Sequence, residues 1–159
     1  MSLILDGSAG VTFPSGSGTQ AAPSKVLQVV QSTYSSQIST NSTSLVPTGW
    51  SASITPLFST SKILVRFVSN ATGSGGAQND QFVLYRNGST TGVSNGCVMT
   101  SGSGAVWVPM IIEYLDAPAT TSSTTYSIYY GVTSGSGTIL GNISAFGQAT
   151  SITLMEIAA

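Results

Sequence analysis

Residues 62–68 read KILVRFV, and this stretch decides how the rest of the chain is read. Ile63, Val65 and Phe67 alternate with Leu64, Arg66 and Val68. Branched and aromatic side chains at a period of two predict a β-strand. The second face of that strand is nearly as apolar as the first. A strand in a sandwich ordinarily turns one face to the core and a polar face to water. Residues 105–115, AVWVPMIIEYL, repeat the pattern: Val106, Val108, Met110, Ile112 and Tyr114 oppose Trp107, Ile111 and Leu115. Two apolar faces imply two covers. One is the domain's own core; the other is a packed loop or, as we expect, a second subunit.

Working outward, the same texture continues. Strands are predicted over residues 26–31, 81–86, 97–100, 124–132, 138–143 and 151–157. Another is predicted over 50–58, with Trp50, Ala52 and Ile54 on one face and Ser51, Ser53 and Thr55 on the other. Asn87-Gly88 follows the 81–86 strand as a two-residue hairpin turn. Pro109 marks its strand as bulged or at a sheet edge. No 3.6-residue apolar period persists anywhere. Eight or nine short strands separated by Gly, Ser, Asn and Pro predict an all-β antiparallel β-sandwich, most economically a jelly roll. An up-and-down barrel asks for more uniform strands.

Residues 1–24 differ in texture. Two short apolar pieces, 3–5 and 11–13, are followed by Pro14 and Ser15-Gly16-Ser17-Gly18. Such a segment buries too little apolar surface to fold alone. It predicts an extended N-terminal anchoring arm over 1–24, leading into a β-sandwich domain over 25–159.

Charge is scarce. Only 6% of residues are Asp, Glu, Lys or Arg, and the net charge is −1, against about 25% charged in ordinary soluble domains. Ser and Thr fill about 30% of the positions. Charge repulsion helps monomers stay dispersed, so this composition suits a chain that assembles and stays assembled. A secreted protein kept soluble by hydroxyls is the other reading. Lys25, Lys62, Arg66 and Arg86 are too few and scattered to replace counterions on a nucleic acid or to grip an anionic membrane. No run approaches the ~20 apolar residues of a membrane helix. Met1 to Leu5 lacks a basic export region, so the expectation is synthesis in a cytoplasm with no signal peptide. Cys97 has no intrachain partner and reads as a small buried hydrophobe. The N-x-S/T matches at Asn41, Asn70, Asn87 and Asn142 are the chance yield of a Ser/Thr-rich chain.

Catalysis finds little to work with. Without histidine, Ser–His–Asp and Cys–His sites cannot be built. Glu113 and Asp116 are the closest pair of acids, yet three residues apart they point to opposite faces of a strand. Glu113 is expected to pair with an arginine and Asp116 to sit in the following turn. The Gly–Ser runs at 73–76, 101–104 and 134–137 lack the Lys and the helix of a nucleotide loop. No catalytic residue, no cofactor-binding residue and no metal ligand is predicted, and no cofactor. For binding, Trp50, Trp107, Tyr85, Tyr114, Tyr126, Tyr129 and Tyr130 are candidates to stack on sugars. The Asn-bearing stretches 70–80 and 89–95 read as loops beside them.

Several segments resemble virion proteins of tailed bacteriophages. GSAGVTFPSG at Gly7 is similar to a segment that opens or punctuates many of them. KVLQVVQST at Lys25, SITPLFSTSKILV at Ser53, FVLYRNGSTTG at Phe82, EYLDAPATTSSTTYSIYYG at Glu113 and SITLMEIAA at Ser151 resemble β domains of phages of cyanobacteria and marine bacteria. The resemblance implies a non-enzymatic structural subunit of the virion: a short fibre or a capsid decoration or cement protein. It implies a homotrimer attached to other capsid or tail proteins through the arm. A receptor- or glycan-binding tail fibre module, touching a host surface glycan, is the alternative. Long fibres carry shafts and several domains, which this chain lacks, so the shorter forms fit better.

Overall fold

The computed structural model describes residues 4–6, 10–12, 25–74, 79–91, 99–100, 107–134, 138–141 and 150–159. Among these residues there is no helix. Two short strands, β1 (Ile4–Asp6) and β2 (Gly10–Thr12), pair with each other, Leu5 opposite Val11. The apolar pieces recognised there are thus the two sides of a hairpin, too small to be stable by itself.

The domain holds β3 (Val26–Tyr34), β4 (Ile38–Thr40), β5 (Val46–Ile54), β6 (Lys62–Ser74), β7 (Asn79–Arg86) and β8 (Ser89–Thr90). It continues with β9 (Met99–Thr100), β10 (Trp107–Asp116), β11 (Thr124–Ser134), β12 (Thr138–Gly141) and β13 (Thr150–Ile157). Three of the strands come in two pieces. β12 and β13 lie end to end along one side of β6. β3 and β4 line up beside them, and β8 and β9 both flank β7. Joined in this way, eight strands form two antiparallel sheets of four. The first runs β3/β4, β12/β13, β6, β10; the second runs β5, β11, β7, β8/β9.

The pairing rule behind this order is simple. Numbered one to eight along the chain, strand one pairs with eight, two with seven, three with six and four with five. That is a long antiparallel ribbon rolled into two sheets, the jelly roll. Only the four-to-five turn stays within a sheet. It is Asn87-Gly88, with φ of 49° and 77°, the doubly positive geometry that Asn-Gly favours. Asn87 adds a bond of its own, its Oδ1 accepting from the Thr125 amide at 2.8 Å.

Alternation decides what fills the space between the sheets. Ile63, Val65, Phe67 and Ala71 of β6, Met110 and Ile112 of β10, and Ile152 and Leu154 of β13 face Trp50, Ala52 and Ile54 of β5. Phe82 and Leu84 of β7 and Tyr126, Ile128, Tyr130 and Val132 of β11 complete the core. Trp50 stacks on Phe82 at 6.3 Å with rings 1° from parallel, and Phe67 tilts against both. A core Phe or Trp cut to Ala costs about 3–5 kcal/mol. Phe67→Ala, losing contacts to both sheets, is expected to fall in that range by urea melting.

Some expectations need correction. The strand predicted over 50–58 ends at Ile54, because Pro56 cannot donate to a ladder and the Leu57 and Phe58 amides are taken by a carboxylate. β5 instead begins earlier, at Val46. β6 runs on past Val68 through small polar residues to Ser74, so Asn70 lies in a buried strand position, not in a loop. Asp116 closes β10 with its side chain buried instead of sitting in the turn. Pro109 is at a sheet edge: β10 pairs with β6 in unbroken register. Cys97, residues 92–95, most of the Gly–Ser runs and the Trp107 side chain lie outside the described set.

Candidate interaction surfaces

The acids sort themselves first. Glu113 points outward from β10 with its carboxylate 3.9 Å from Arg66, the residue opposite it on β6. Both side chains are more than half exposed, and such a pair contributes a few tenths of a kcal/mol. Glu113→Gln is therefore expected to shift stability by under about 0.5 kcal/mol. Asp116 points the other way, into the end of the sandwich. Both its oxygens accept from Arg86 Nη1, at 2.8 and 2.7 Å, and Oδ2 accepts from Tyr126 Oη at 2.6 Å. The bond to Asp116 raises the Arg86 guanidinium above its ordinary value. Burial, then the bond to Asp116, pushes the Tyr126 phenol far up. The cluster ties β10 of one sheet to β7 and β11 of the other. Its geometry is that of a clamp.

Glu156, one of the five acids, has no role that the sequence suggests. It faces inward at the end of β13 and is fully buried. Oε1 accepts from the Leu57 and Phe58 amides at 2.8 and 3.3 Å, and Oε2 from Gln28 Nε2 at 2.5 Å. Gln28 also donates to Thr55 O. Burial disfavours the charge, yet the hydrogen bonds outweigh it and hold the carboxyl below its ordinary range. The carboxylate thereby fixes the turn after β5, which presents Leu57 and Phe58 to solvent at 59% and 57% exposure.

Two outer faces remain. On the first sheet, register places Val29, Met155, Leu64 and Leu115 in one row across all four strands. The next row is Gln31, Thr153, Arg66 and Glu113, in which Gln31 Nε2 donates to Thr153 Oγ1 at 2.9 Å. Beyond it come Thr33, Ser151, Val68 and Ile111. Val29, Ile111 and Leu115 are 56%, 51% and 47% exposed. The second apolar face read from the sequence is real, and among the described residues no loop covers these three.

The second sheet's outer face is dented. Ser51 faces Ser127 and Pro47 faces Tyr129, so Thr48, Gly49 and Trp50 of β5 oppose Ile128 alone. Thr48 Oγ1 fills the gap in the ladder, donating to Ile128 O at 2.7 Å and accepting from Trp50 N at 3.0 Å. Gly49 turns the corner at φ 81°, a backbone that side-chain-bearing residues avoid. The result is a shallow pocket of about 250 Å³ lined by Pro47, Gly49, Ser51, Thr125, Ser127 and Tyr129, floored by Trp50 and Ile128. Tyr129 is stacked on Tyr85, centroids 3.8 Å apart. Of the aromatics offered for sugar contact, Trp50, Tyr126 and Tyr130 are core residues and Tyr114 packs against the core. Among the described side chains, Tyr85 and Tyr129 are half-buried and lie on the outward side of the second sheet.

Comparison with known proteins returns no matching family model and no matching curated protein. Among solved structures, the chain superposes on the infectious bursal disease virus VP2 subviral particle with a TM-score of 0.40 and 15% identity, over 83% of this chain and 37% of that one. A second, infectious bursal disease virus Gx strain, gives 0.35 and 12%, over 82% and 42%. The chain spans less than half the length of either. At these values the likeness assigns no family and no role.

Proposed function

We propose that the chain is a non-enzymatic structural subunit of a virion, of the tailed-phage kind its segments resemble. In its finer form the proposal is a short fibre or capsid decoration protein, trimeric and attached through residues 1–24. The observation that carries it is the outer apolar face on which Val29, Ile111 and Leu115 are exposed and Met155 and Leu64 half-exposed between them. An apolar patch of this kind on a soluble chain marks a contact surface, and a surface nearly free of charge offers little to keep copies apart.

Register adds an orientation. Val26 and Lys62 both meet Ile157, so the chain enters the domain and β13 ends at one pole, together with the turn at 55–61. Attachment through the arm turns this pole toward the particle and the opposite pole, with residues 35–45, away from it.

Light scattering after size exclusion tests the association. The expected mass is that of three subunits, unchanged on dilution, and Val29→Lys/Leu115→Lys should reduce it to one subunit without altering the β-type circular dichroism. A wild-type monomer would defeat the interface. Deleting residues 1–24 should leave a folded domain that no longer binds particles; decoration by the truncated protein would defeat the arm's role.

A further inference from the structure

The dent on the second sheet calls for an explanation that core packing does not supply. Bulges cluster at functional sites, where they re-aim side chains, and this one costs β5 two ladder positions. What it opens has a particular chemistry. The lining combines two aromatic residues, Trp50 in the floor and Tyr129 in the wall, with the hydroxyls of Ser51, Thr125 and Ser127 and the backbone of Gly49, and no Asp, Glu, Lys or Arg. Tyr with Ser and Gly is the mixture that binding surfaces use when a rigid flat contact must be joined to adaptable hydrogen bonding. The Tyr129 ring is already held by Tyr85, so little freedom is lost when a ligand settles on it. Thr125 Oγ1 is tied to Ser53 Oγ at 2.7 Å, which aligns a further hydroxyl at the rim. Drug-sized ligands occupy about 300–1,000 Å³; this pocket matches one small ring.

We propose that the pocket between β5 and β11 binds a single uncharged pyranose of a glycan, its C–H face on Tyr129 and its hydroxyls toward Ser51, Thr125 and Ser127. A sugar ring has one apolar side and a polar rim, which is what the pocket complements. Anionic sugars find no cation there. The site goes beyond the structural role above and stands whether or not the chain is a virion subunit. Tyr129 touches the ligand; Tyr85 is a positioning residue.

Amide NMR titration of the full chain tests this with four probes: the methyl glycosides of glucose and galactose, N-acetylglucosamine and sialic acid. At least one neutral sugar is expected to shift the Ser51, Ser127 and Tyr129 signals saturably, with a Kd of ~1–10 mM, and sialic acid to leave them in place. Tyr129→Ala should weaken binding more than tenfold and Tyr85→Ala a few-fold. Ser127→Trp, which plugs the pocket from the solvent side, should abolish the shifts and keeps the test decisive if Tyr129→Ala does not fold. Silence from all three neutral sugars at about 50 mM, stronger shifts with sialic acid, or shifts that survive Ser127→Trp would overturn the proposal.

Discussion

Replacing Asp116 with Asn is expected to lower the stability of the folded domain by about 2–3 kcal/mol, measured by urea melting. One carboxylate holds a guanidinium and a phenol from the opposite sheet. Breaking a fully buried pair costs about 3–5 kcal/mol. The expected loss is smaller because the Arg86 side chain is 36% exposed and water can serve it in part. Tyr126 is fully buried and has no such recourse. Tyr126→Phe removes the second bond alone and should cost about 1 kcal/mol. The double variant should cost less than the two together, since both remove the same bond. A loss below about 0.5 kcal/mol for Asp116→Asn, the scale of an exposed pair, would mean that the clamp contributes nothing. For a chain of this size the expected change amounts to about 5–10 °C in melting temperature.

Glu156→Ala should be about as damaging, at about 2–3 kcal/mol, because three part-buried donors lose a charged acceptor. The wild type carries a pH signature of the same bond. The folded carboxyl titrates below its ordinary value of 4.5, so its contribution is complete above about that pH and is lost as pH falls through the folded value. Melting temperature against pH should therefore decline more steeply below pH 4.5 in the wild type than in Glu156→Gln. Parallel curves would show that the carboxylate does not stabilise the turn. The Leu57 and Phe58 amides should also exchange hydrogen faster in the variant, since the turn they belong to is held from below by that side chain.

How much of this was legible in the sequence depended on whether one strand or two had to be known. The strands expected over 62–68 and 105–115 announced themselves, because alternation within a strand reveals its own two faces. That Leu64 and Leu115 turn away from the core was likewise implicit in their periodicity, whereas their alignment with Val29 in one row needed the register. β5 was half hidden, as Pro47 and Gly49 argue against a strand and are tolerated at a sheet edge beside a bulge. The end of β6 was missed because Ser69, Asn70 and Thr72 are polar. They are buried nonetheless, Ser69 by a 2.7 Å bond to Thr150 far along the chain. The pocket was not legible at all. It exists because three residues of β5 face one of β11, a mismatch that belongs to neither strand alone. The role of Glu156 was hidden for the same reason: its partners are Gln28 at one end of the domain and a turn in its middle.

The rolled-up pairing also governs when the protein can come into being. Strand one waits for strand eight: Tyr34 meets Thr150, and β13 then lies between β3 and β6. A ribosome delivers about 5–20 residues each second, so for many seconds the nascent chain carries β3 and β6 with a vacancy between them. Neither can settle until residue 157 has cleared the exit tunnel. Folding of the sandwich therefore waits for β13 and is slowed by closure of its longest loops. Until then the open edges and apolar faces need shelter, and a chaperone that holds the chain until its last strand arrives should raise the yield of native protein in cell-free synthesis.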